Sequence, residues 1–453
     1  MRTRFTWILA LVALVAIGVV IACSTTYNSS YDGLVVVPTQ GALVMQTFSL
    51  DLGNGHISQV TNPNGPPTNG VPGALVLDPA GAFAYLIVYA NPGVPGSETG
   101  IQTFQVASDG KLAPIGTTPL NSANVQPQVP VDGQTTEMVP VVPVALTMDS
   151  KGEFLFVANG ATSDTAGNPV PGSVTVLTIG SKASLNEVTG SPFVLPVGDV
   201  NLFPLPQNPC TATVQCSGAS ALAVTPTVYP PLYSYCSGHT PPTTENLYVT
   251  DKINYMLYNY SVDPSSGTLS LMFPPSTPTV PGVPTGTVPS GVAVDPCNRF
   301  VYVANASPNN NVSAYTICST VSLPNCPNAD FSLLPVNGAP YSLSPGDNPG
   351  PMAEDAYGNF LYVVDTESSA GGLISAFRIS PTTGALTPLS PPTAATNSGP
   401  NSIAIRSDDS WMFVTNFNSA TLSQYAIAPA TGALTPVTPP TGTFTQPTGV
   451  AVK

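Results

Sequence analysis

Charged residues are scarce in this chain of 453 residues. Only 8% of the residues are Asp, Glu, Lys or Arg, and the 10 basic residues are outnumbered by 24 acidic ones. A protein that binds nucleic acid needs clustered Lys and Arg to displace counterions from phosphates, and no such cluster occurs. An acidic chain is also repelled by anionic lipid headgroups. We therefore exclude nucleic acid as a partner and expect membrane contact only through an N-terminal lipid or apolar segment.

Residues suited to acid–base or metal chemistry are equally few. The chain has two histidines, His56 in a predicted turn and His239 in a Pro-rich insertion. It has no GxSxG elbow, no HExxH motif, no phosphate-binding P-loop and no EF-hand calcium loop. These absences argue against a His-based mechanism, and we expect neither a metal ion nor a cofactor.

Proline and glycine, by contrast, are abundant. The chain contains 52 prolines and 39 glycines, while 42% of its residues are hydrophobic. Proline and glycine both interrupt helices, which excludes a helical bundle. A chain with so few charged residues and so many hydrophobic ones is also not expected to be intrinsically disordered.

The N-terminus has the pattern of an export signal. Two arginines precede an apolar run of 15 residues, Ile8–Ala22. A run of this length is typical of a signal peptide, since a membrane-spanning helix needs about 20 apolar residues. The stretch Val20–Cys23 resembles the bacterial lipobox, in which the cysteine becomes the lipidated first residue. We predict a signal peptide over residues 1–22, lipidation at Cys23 and a place in the bacterial cell envelope, periplasmic or surface-exposed. An ordinary signal peptide and an uncleaved anchor are the alternatives.

Six further cysteines follow Cys23, and an even number in an exported chain indicates disulfides. The predicted pairs are Cys210–Cys216, Cys318–Cys326 and Cys236–Cys297, of which the first two close short loops. Six cysteines can pair in many other ways. Zinc binding is the competing interpretation, but the sequence has no CxxC pair and no suitably placed histidine.

One sequence phrase recurs along the rest of the chain. It combines a short apolar strand, a turn that usually contains Asp, and a second strand rich in aromatic and β-branched residues, which together indicate a β-hairpin. Asp suits the turn because its side chain accepts hydrogen bonds from the backbone N–H groups there. The copies begin at Ala74, Ala145, Ala221, Gly291, Pro351 and Ser402.

Each of these hairpins is followed by another, so the repeating unit holds four strands, here named a to d. A four-stranded repeating unit is typical of a propeller blade. Residues 34–60 supply strands b, c and d without an a, and residues 448–453 supply an a strand alone. We therefore predict an all-β, seven-bladed β-propeller over residues 34–453, preceded by a tether over residues 23–33. Its first blade joins the two ends and closes the ring.

The second strand of the hairpin ends in a recurring four-residue motif. The copies are FVAN at 156–159, YVTD at 248–251, YVAN at 302–305, YVVD at 362–365 and FVTN at 413–416. With these motifs the chain resembles the seven-bladed lactonase-like propellers, which are related to bacterial 6-phosphogluconolactonases and to YVTN-repeat surface proteins. The resemblance spans about Leu34 to Lys453. The resemblance implies the propeller fold. It also implies hydrolysis of a sugar lactone, but less specifically, because one fold hosts many functions.

Polar residues end the second strands and begin some of the first strands of the repeats. In a propeller, strand a lines the central channel, and the d–a and b–c loops open on one face. We therefore predict a polar ring at that face as a ligand site, although Asn and Asp are also ordinary turn residues. The ring consists of Asn159, Asp251, Asn305, Asp365, Asn401, Asn416 and Thr448.

Two charges interrupt the apolar end of strand a. Glu354 occupies a position where the other repeats have Val, Leu, Ile or Met, and Arg406 replaces the turn Asp of the next repeat. A buried charge without a partner is strongly unfavourable, so we expect Glu354, Asp355 and Arg406 to lie close together. They form either an ion pair that braces two blades or a pair that acts on a ligand.

Two functions from different classes fit these features. The main prediction is a monomeric envelope protein that uses its channel face to bind a lactone or sugar, a glycan or another envelope protein. The alternative is a lactone hydrolase, in which Glu354 or Asp365 is the base for water. The donors to the developing oxyanion are then Arg406, Asn305 or Asn416. A phosphosugar lactone fits poorly, because such a substrate arises in the cytoplasm and the chain has few cations.

Overall fold

The computed structural model is a ring of seven antiparallel sheets, so the predicted seven-bladed β-propeller is confirmed. The blades are numbered from the N-terminus, and their strands run from a at the channel to d at the outside. The structure describes residues 33–60, 65–120, 141–163, 169–196, 216–226, 245–273, 281–306, 308–319, 326, 328–343, 348–366, 371–437 and 444–453.

Blades 2 to 7 are each built from consecutive strands. Strands a, b and c are Val71–Leu77, Phe83–Tyr89 and Gly100–Val106 in blade 2; Val142–Met148, Phe154–Gly160 and Ser173–Ile179 in blade 3; Ala219–Val224, Glu245–Asp251 and Met256–Val262 in blade 4; Pro289–Val294, Phe300–Asn305 and Asn311–Ile317 in blade 5; Pro349–Glu354, Phe360–Asp365 and Leu373–Ile379 in blade 6; and Pro400–Ile405, Trp411–Asn416 and Thr421–Ile427 in blade 7.

Strand d varies more than the inner strands. It is one piece in blades 2, 6 and 7, namely Leu112–Pro119, Leu386–Ala395 and Leu434–Pro436. It is two pieces in blades 3, 4 and 5, namely Leu185–Glu187 with Phe193–Val194, Leu269–Leu271 with Val283–Pro284, and Leu333–Pro335 with Tyr341–Ser342. A hairpin of Thr162–Ser163 with Pro169–Val170 and a 3-10 turn at Ser181–Ala183 complete the described elements.

Blade 1 closes the ring as predicted. Its strands b, c and d are Gly33–Thr39, Val44–Leu50 and Ile57–Gln59, and its strand a is Ala451–Val452. Leu34 and Lys453 exchange two main-chain hydrogen bonds of 3.2 and 2.9 Å. This pairing covers a strand edge, because among the described strands the C-terminal one is the neighbour of Gly33–Thr39 on that side.

Strand b is buried along its full length in most blades. Phe360–Asp365 and Trp411–Asn416, for example, are buried at every residue. Each sheet lies between two neighbouring sheets, so both faces of its inner strands are covered. This is why the strand b motifs are nearly continuous apolar runs rather than an alternation of apolar and polar residues.

An aromatic–glycine contact recurs between neighbouring blades. The aromatic residue at the start of strand b packs on a glycine in the c–d turn of the next blade, where a Cβ atom would lie 2.2–2.6 Å from the ring. These glycines also have φ angles of 71–74°, which disfavour other residues. The pairs are Phe154–Gly267, Phe300–Gly384, Phe360–Gly432 and Trp411–Gly55.

Buried tyrosines strengthen two of these contacts. The Tyr302 hydroxyl donates to the Gly384 carbonyl at 2.9 Å, and the Tyr362 hydroxyl donates to the Gly432 carbonyl at 2.8 Å. Both tyrosines are fully buried, so each hydroxyl needs such a partner. The c–d turn of one blade is therefore held by strand b of the preceding blade through both packing and a hydrogen bond.

One predicted disulfide, Cys318–Cys326, is present with an S–S distance of 2.06 Å. Cys216 and Cys297 are also disulfide-bonded. Cys210 and Cys236 lie outside the described residues, so the pairing of these four cysteines stays a prediction.

The N-terminal features lie outside the described part of the chain. These are the predicted signal peptide over residues 1–22, the lipidation site Cys23 and all but the last residue of the tether. Within the described residues, no helix is long and apolar enough to cross a membrane.

The aromatic–glycine contact predicts unequal costs for two glycine substitutions. Gly384→Ala should lower the free energy of unfolding by about 3 kcal/mol, because the new methyl group meets the Phe300 ring and φ is positive. Gly96→Ala is the matched control, since Gly96 has a φ of 73° but no atom near the added Cβ, and should cost about 1 kcal/mol. Urea unfolding measures both, and equal costs would show that the ring contact contributes nothing.

Candidate functional site

The asparagines of the predicted polar ring bond within their own blades. The three at or next to the ends of strands b are at most 1% exposed, and each donates from Nδ2 to a hydroxyl on strand c at 2.9–3.0 Å. The pairs are Asn159–Thr175, Asn305–Ser313 and Asn416–Ser423. These bonds join strands b and c where the two strands separate into a turn, which is a structural role.

The two aspartates of the ring bind backbone instead. Asp251 Oδ1 accepts hydrogen bonds from the N–H groups of Gly218, Ile253 and Asn254 at 2.9–3.1 Å. Asp365 Oδ1 accepts one from the N–H group of Asn348 at 2.7 Å. Gly218 and Asn348 directly precede strand a of their blades, so both carboxylates hold the approach to the inner strand. A carboxylate can accept several N–H groups at once, which an amide oxygen does less well.

Asn401 and Thr448 connect blades at the closure. Asn401 Nδ2 donates to the main-chain oxygen of Pro447 at 2.9 Å, and its Oδ1 accepts from Thr415 at 2.8 Å. The Thr448 hydroxyl donates to the main-chain oxygen of Gly73 at 3.0 Å. These bonds attach the closing segment to blades 7 and 2.

A cavity of about 350 Å³ lies in the central channel, beside the inner strands of blades 6, 7, 1 and 2. Its wall is formed by the ends of strands a that lead into the a–b turns. The ring residues Asp365 and Asn416 pair with Pro349 and Pro400, at the opposite ends of the same strands. The predicted ring therefore does not line this cavity. The lining residues are Leu75, Val76, Leu77, Ala353, Glu354, Ile403, Ala404, Ile405, Val450, Ala451 and Val452.

Main-chain polar groups of the inner strands also face the cavity. Strand a pairs on one edge only, with strand b. The N–H group of Asp355 bonds to the Phe360 carbonyl on strand b. In an antiparallel pair of strands, successive residues point their N–H and C=O groups alternately towards and away from the partner strand. The N–H and C=O groups of Glu354, the preceding residue, therefore point away from strand b and towards the channel. The N–H and C=O groups of Leu77, Ile405 and Val452 also face the channel, because the residue after each of them is hydrogen-bonded to strand b in the same way. The wall thus combines apolar side chains with main-chain donors and acceptors.

Glu354 is the one charged residue among the described lining residues. Both of its carboxylate oxygens are covered, and neither has a hydrogen-bond partner in the described part of the chain. Burial, then the carboxylates of Asp295 and Asp355, raise the pKa of Glu354 well above its usual range, and Arg299 opposes the shift. Glu354 therefore binds a proton more tightly than an ordinary glutamate does.

The predicted ion pair between Glu354 and Arg406 is wrong. Arg406 donates to the carboxylate of Asp408, and its Nε donates to the main-chain oxygen of Lys453 at 3.2 Å. Arg406 thus fastens blade 7 to the closing strand. The cation that acts on Glu354 is Arg299 of blade 5, which forms a buried ion pair of 2.5 Å with Asp295 and donates to the carbonyl of Gly358 in blade 6. In the sequence, only the position of Arg299 in the a–b turn of blade 5 indicated this role.

Comparisons with known proteins agree with this fold. Residues 339–450, which include blades 6 and 7, match the family described as Lactonase, 7-bladed beta-propeller. The chain is a seven-bladed β-propeller that resembles the lactonase family over this segment. A candidate 6-phosphogluconolactonase from Bacteroides fragilis has a TM-score of 0.63 and 16% identity, over 95% of this chain and 99% of that one. The periplasmic gluconolactonase of Pseudomonas aeruginosa has a TM-score of 0.61 and 17% identity, over 93% and 98%. No curated protein matches the chain.

Asp409 is another buried carboxyl group with a raised pKa, and sequence reasoning missed it. It takes a left-handed turn position, with a φ of 57°, where other a–b turns have Gly81, Gly152 or Gly358. Its Oδ1 accepts a hydrogen bond of 2.7 Å from the N–H group of Ala356 in blade 6. Burial, with the nearby carboxylates of Asp355 and Asp408, raises the pKa of Asp409 to about 7. The replacement of glycine by aspartate at this turn position was the signal that could have identified it.

Asp409 should make the stability of the propeller depend on pH. A pKa raised in the folded state means that the stabilisation is complete below the unfolded pKa, about 4, and is lost as the pH rises through about 7. Asp409→Asn keeps an acceptor for Ala356 without the charge. It should raise the melting temperature at pH 8 far more than at pH 5. Glu98→Gln, at an exposed glutamate, is the control. An equal shift at both pH values would contradict the assignment.

Proposed function

We propose that this lactonase-like propeller hydrolyses a lactone in its central cavity. The family match over residues 339–450 supports this, since the inner strands Pro349–Glu354 and Pro400–Ile405 of that segment form part of the cavity wall. The observation that carries the proposal is Glu354, a cavity-lining residue whose carboxyl group has no partner in the described part of the chain and has a raised pKa. Such perturbed groups concentrate at catalytic sites.

In the proposed reaction the Glu354 carboxylate removes a proton from a water molecule as the water attacks the lactone carbonyl carbon. Main-chain N–H groups at the inner edge, those of Leu77, Ile405 and Val452, are the donors available to the developing oxyanion. The ring C–O bond then breaks, and Glu354 returns the proton to the departing alkoxide to give a hydroxy acid. Because both Glu354 oxygens are covered, the side chain must turn towards the cavity before it reacts.

The burial of both Glu354 carboxylate oxygens favours a second candidate function, ligand binding without catalysis. No arginine or lysine is among the described lining residues, and Glu354 is the only one of them with a polar side chain. A propeller of this kind would hold a small ligand in the cavity and present it, or its own loops, to a glycan or an envelope protein. This candidate and the hydrolase differ only in whether Glu354 reacts, so one variant separates them.

Replacement of the carboxyl group tests the hydrolase directly. Glu354→Gln should lower kcat for lactone hydrolysis about a hundredfold or more, because it removes the proposed base while keeping the shape of the side chain. Wild-type activity should also fall as the pH decreases through the raised pKa of Glu354, since only the carboxylate accepts the proton. Titration of released acid measures both effects.

Glu153→Gln is the matched control, since Glu153 lies in an exposed a–b turn of blade 3. Equal rates for the wild type and both variants would reject Glu354 as the base, and rates equal to the uncatalysed reaction in all three would leave ligand binding as the function.

We also propose that the propeller is exported and lipid-anchored at Cys23. The residues Val20–Cys23 and the preceding apolar run support this proposal. One structural relative is described as periplasmic. In a bacterial host fed an alkyne-labelled fatty acid, the wild-type chain should become labelled and Cys23→Ser should not. Ser24→Ala should be labelled like the wild type. Labelling of the Cys23→Ser variant would rule out this anchor site.

A further inference from the structure

An asparagine that precedes a glycine can react with its own main chain, and the sequence contains five such pairs. The main-chain nitrogen of the glycine attacks the asparagine side chain, and the absence of a Cβ atom allows a close approach. The side chain must be free to turn, and the glycine N–H group must not be held in a hydrogen bond. The five asparagines are Asn54, Asn64, Asn69, Asn159 and Asn337, of which Asn64 lies outside the described residues.

Two of these asparagines are held in the body of the propeller. Asn159 is 1% exposed, and its Nδ2 donates to the hydroxyl of Thr175 at 2.9 Å. Asn69 is half-buried, and its Nδ2 donates to the hydroxyl of Thr117 at 3.2 Å. Neither side chain can turn towards the next main-chain nitrogen without breaking its hydrogen bond, so the fold protects both.

Asn54 is exposed, but the groups that would react are bonded. Its Nδ2 donates to the carboxylate of Asp51 at 2.8 Å, and its Oδ1 accepts from the N–H group of His56 at 2.7 Å. The N–H group of Gly55 donates to the main-chain oxygen of Asp51 at 2.8 Å. Exposure alone therefore does not make an asparagine reactive, and Asn54 is the natural comparison for Asn337.

Asn337 differs from the other described asparagines of this kind. Asn337 and Gly338 are both exposed, in the turn between the two pieces of strand d of blade 5. Within the described part of the chain, neither the Asn337 side chain nor the Gly338 N–H group makes a hydrogen bond. The turn itself is held, because Val336 is 3% exposed and its main-chain oxygen accepts from the N–H group of Ala339 at 3.1 Å. The two reacting groups are therefore free at the tip of an ordered turn.

The hydroxyl of Tyr341 acts on the peptide bond that would react. It donates to the main-chain oxygen of Asn337 at 3.3 Å. That oxygen belongs to the same peptide group as the nitrogen of Gly338. A hydrogen bond to the oxygen stabilises negative charge on the peptide group, so it makes loss of the N–H proton easier.

We propose that Asn337 is a site of spontaneous deamidation. Hydroxide removes the N–H proton of Gly338, and the nitrogen attacks Cγ of Asn337 to form an N–Cγ bond. The Cγ–Nδ2 bond breaks, and ammonia leaves after taking a proton from water, which gives a five-membered succinimide. Water then opens the ring at either carbonyl carbon to give aspartate or isoaspartate. The net reaction consumes one water, releases one ammonia and adds a negative charge to the exposed turn.

Peptide mapping by mass spectrometry tests the proposal on the purified full-length protein after storage at pH 8. Asn337 should convert at least about tenfold faster than Asn54, Asn69 or Asn159, because those three must first break hydrogen bonds. In concentrated urea the rates should become similar. Conversion of Asn54 as fast as that of Asn337 in the folded protein, or a tenfold difference that persists in urea, would overturn the proposal.

Two variants give an independent readout by isoelectric focusing. The wild type should develop a more acidic form during storage, and Asn337→Gln should not, because glutamine must close a larger ring. Asn54→Gln is the matched control and should develop the acidic form like the wild type. An acidic form that accumulates equally fast in Asn337→Gln would reject Asn337 as the site.

The contribution of the hydroxyl is measured separately. Tyr341→Phe should slow the conversion of Asn337 about threefold, the effect expected for one hydrogen bond. The urea unfolding midpoint of this variant shows whether the turn is still packed. An unchanged or faster conversion in a variant of normal stability would reject the role of Tyr341.

Discussion

The contact between an aromatic ring and a turn glycine packs neighbouring blades against each other at four of the seven blade interfaces. In each case the residue that begins strand b, such as Phe300 or Phe360, covers the c–d turn of the next blade, and only glycine leaves room for the ring. Tyr302 and Tyr362 add hydrogen bonds to the same turns. The contact joins blades 3 and 4, 5 and 6, 6 and 7, and 7 and 1, so it packs both neighbours of blade 7 against that blade.

A second set of contacts links the blades at the a–b turns, close to the cavity. Side chains there bond to the main chain of an adjacent blade from blade 4 round to blade 2. The bonds run from Asn298 to Pro226, from Arg299 to Gly358, from Ala356 to Asp409, from Arg406 to Lys453 and from Lys453 to Ala80. Most of the few charges of the propeller body are therefore engaged in its structure. Glu354, by contrast, has no hydrogen-bond partner for either carboxylate oxygen among the described residues.

The polar ring at the other face shows that a residue type that predicts a ligand site can also bond within its own blade. Asn159, Asn305 and Asn416 lie at or next to the ends of their strands, and their amides bond to hydroxyls on strand c. An asparagine that binds a ligand and an asparagine that bonds to the neighbouring strand look the same in the sequence. The difference lies in the register between strands b and c, which places the Ser or Thr partner within 3.0 Å.

The sequence by itself determined the hairpins, the four-stranded blades, the closure by the last strand and the Cys318–Cys326 disulfide. All of these follow from local patterns, from strands left unpaired at the two ends or from short spacing along the chain. Only the tertiary structure decided that Arg406 binds the closing strand, that Asp409 caps the turn of blade 6 and that Asp295, Asp355 and Arg299 act on Glu354 instead of Arg406. These pairings join residues of different blades, and the packing of neighbouring sheets, which no local pattern encodes, determines which side chains meet.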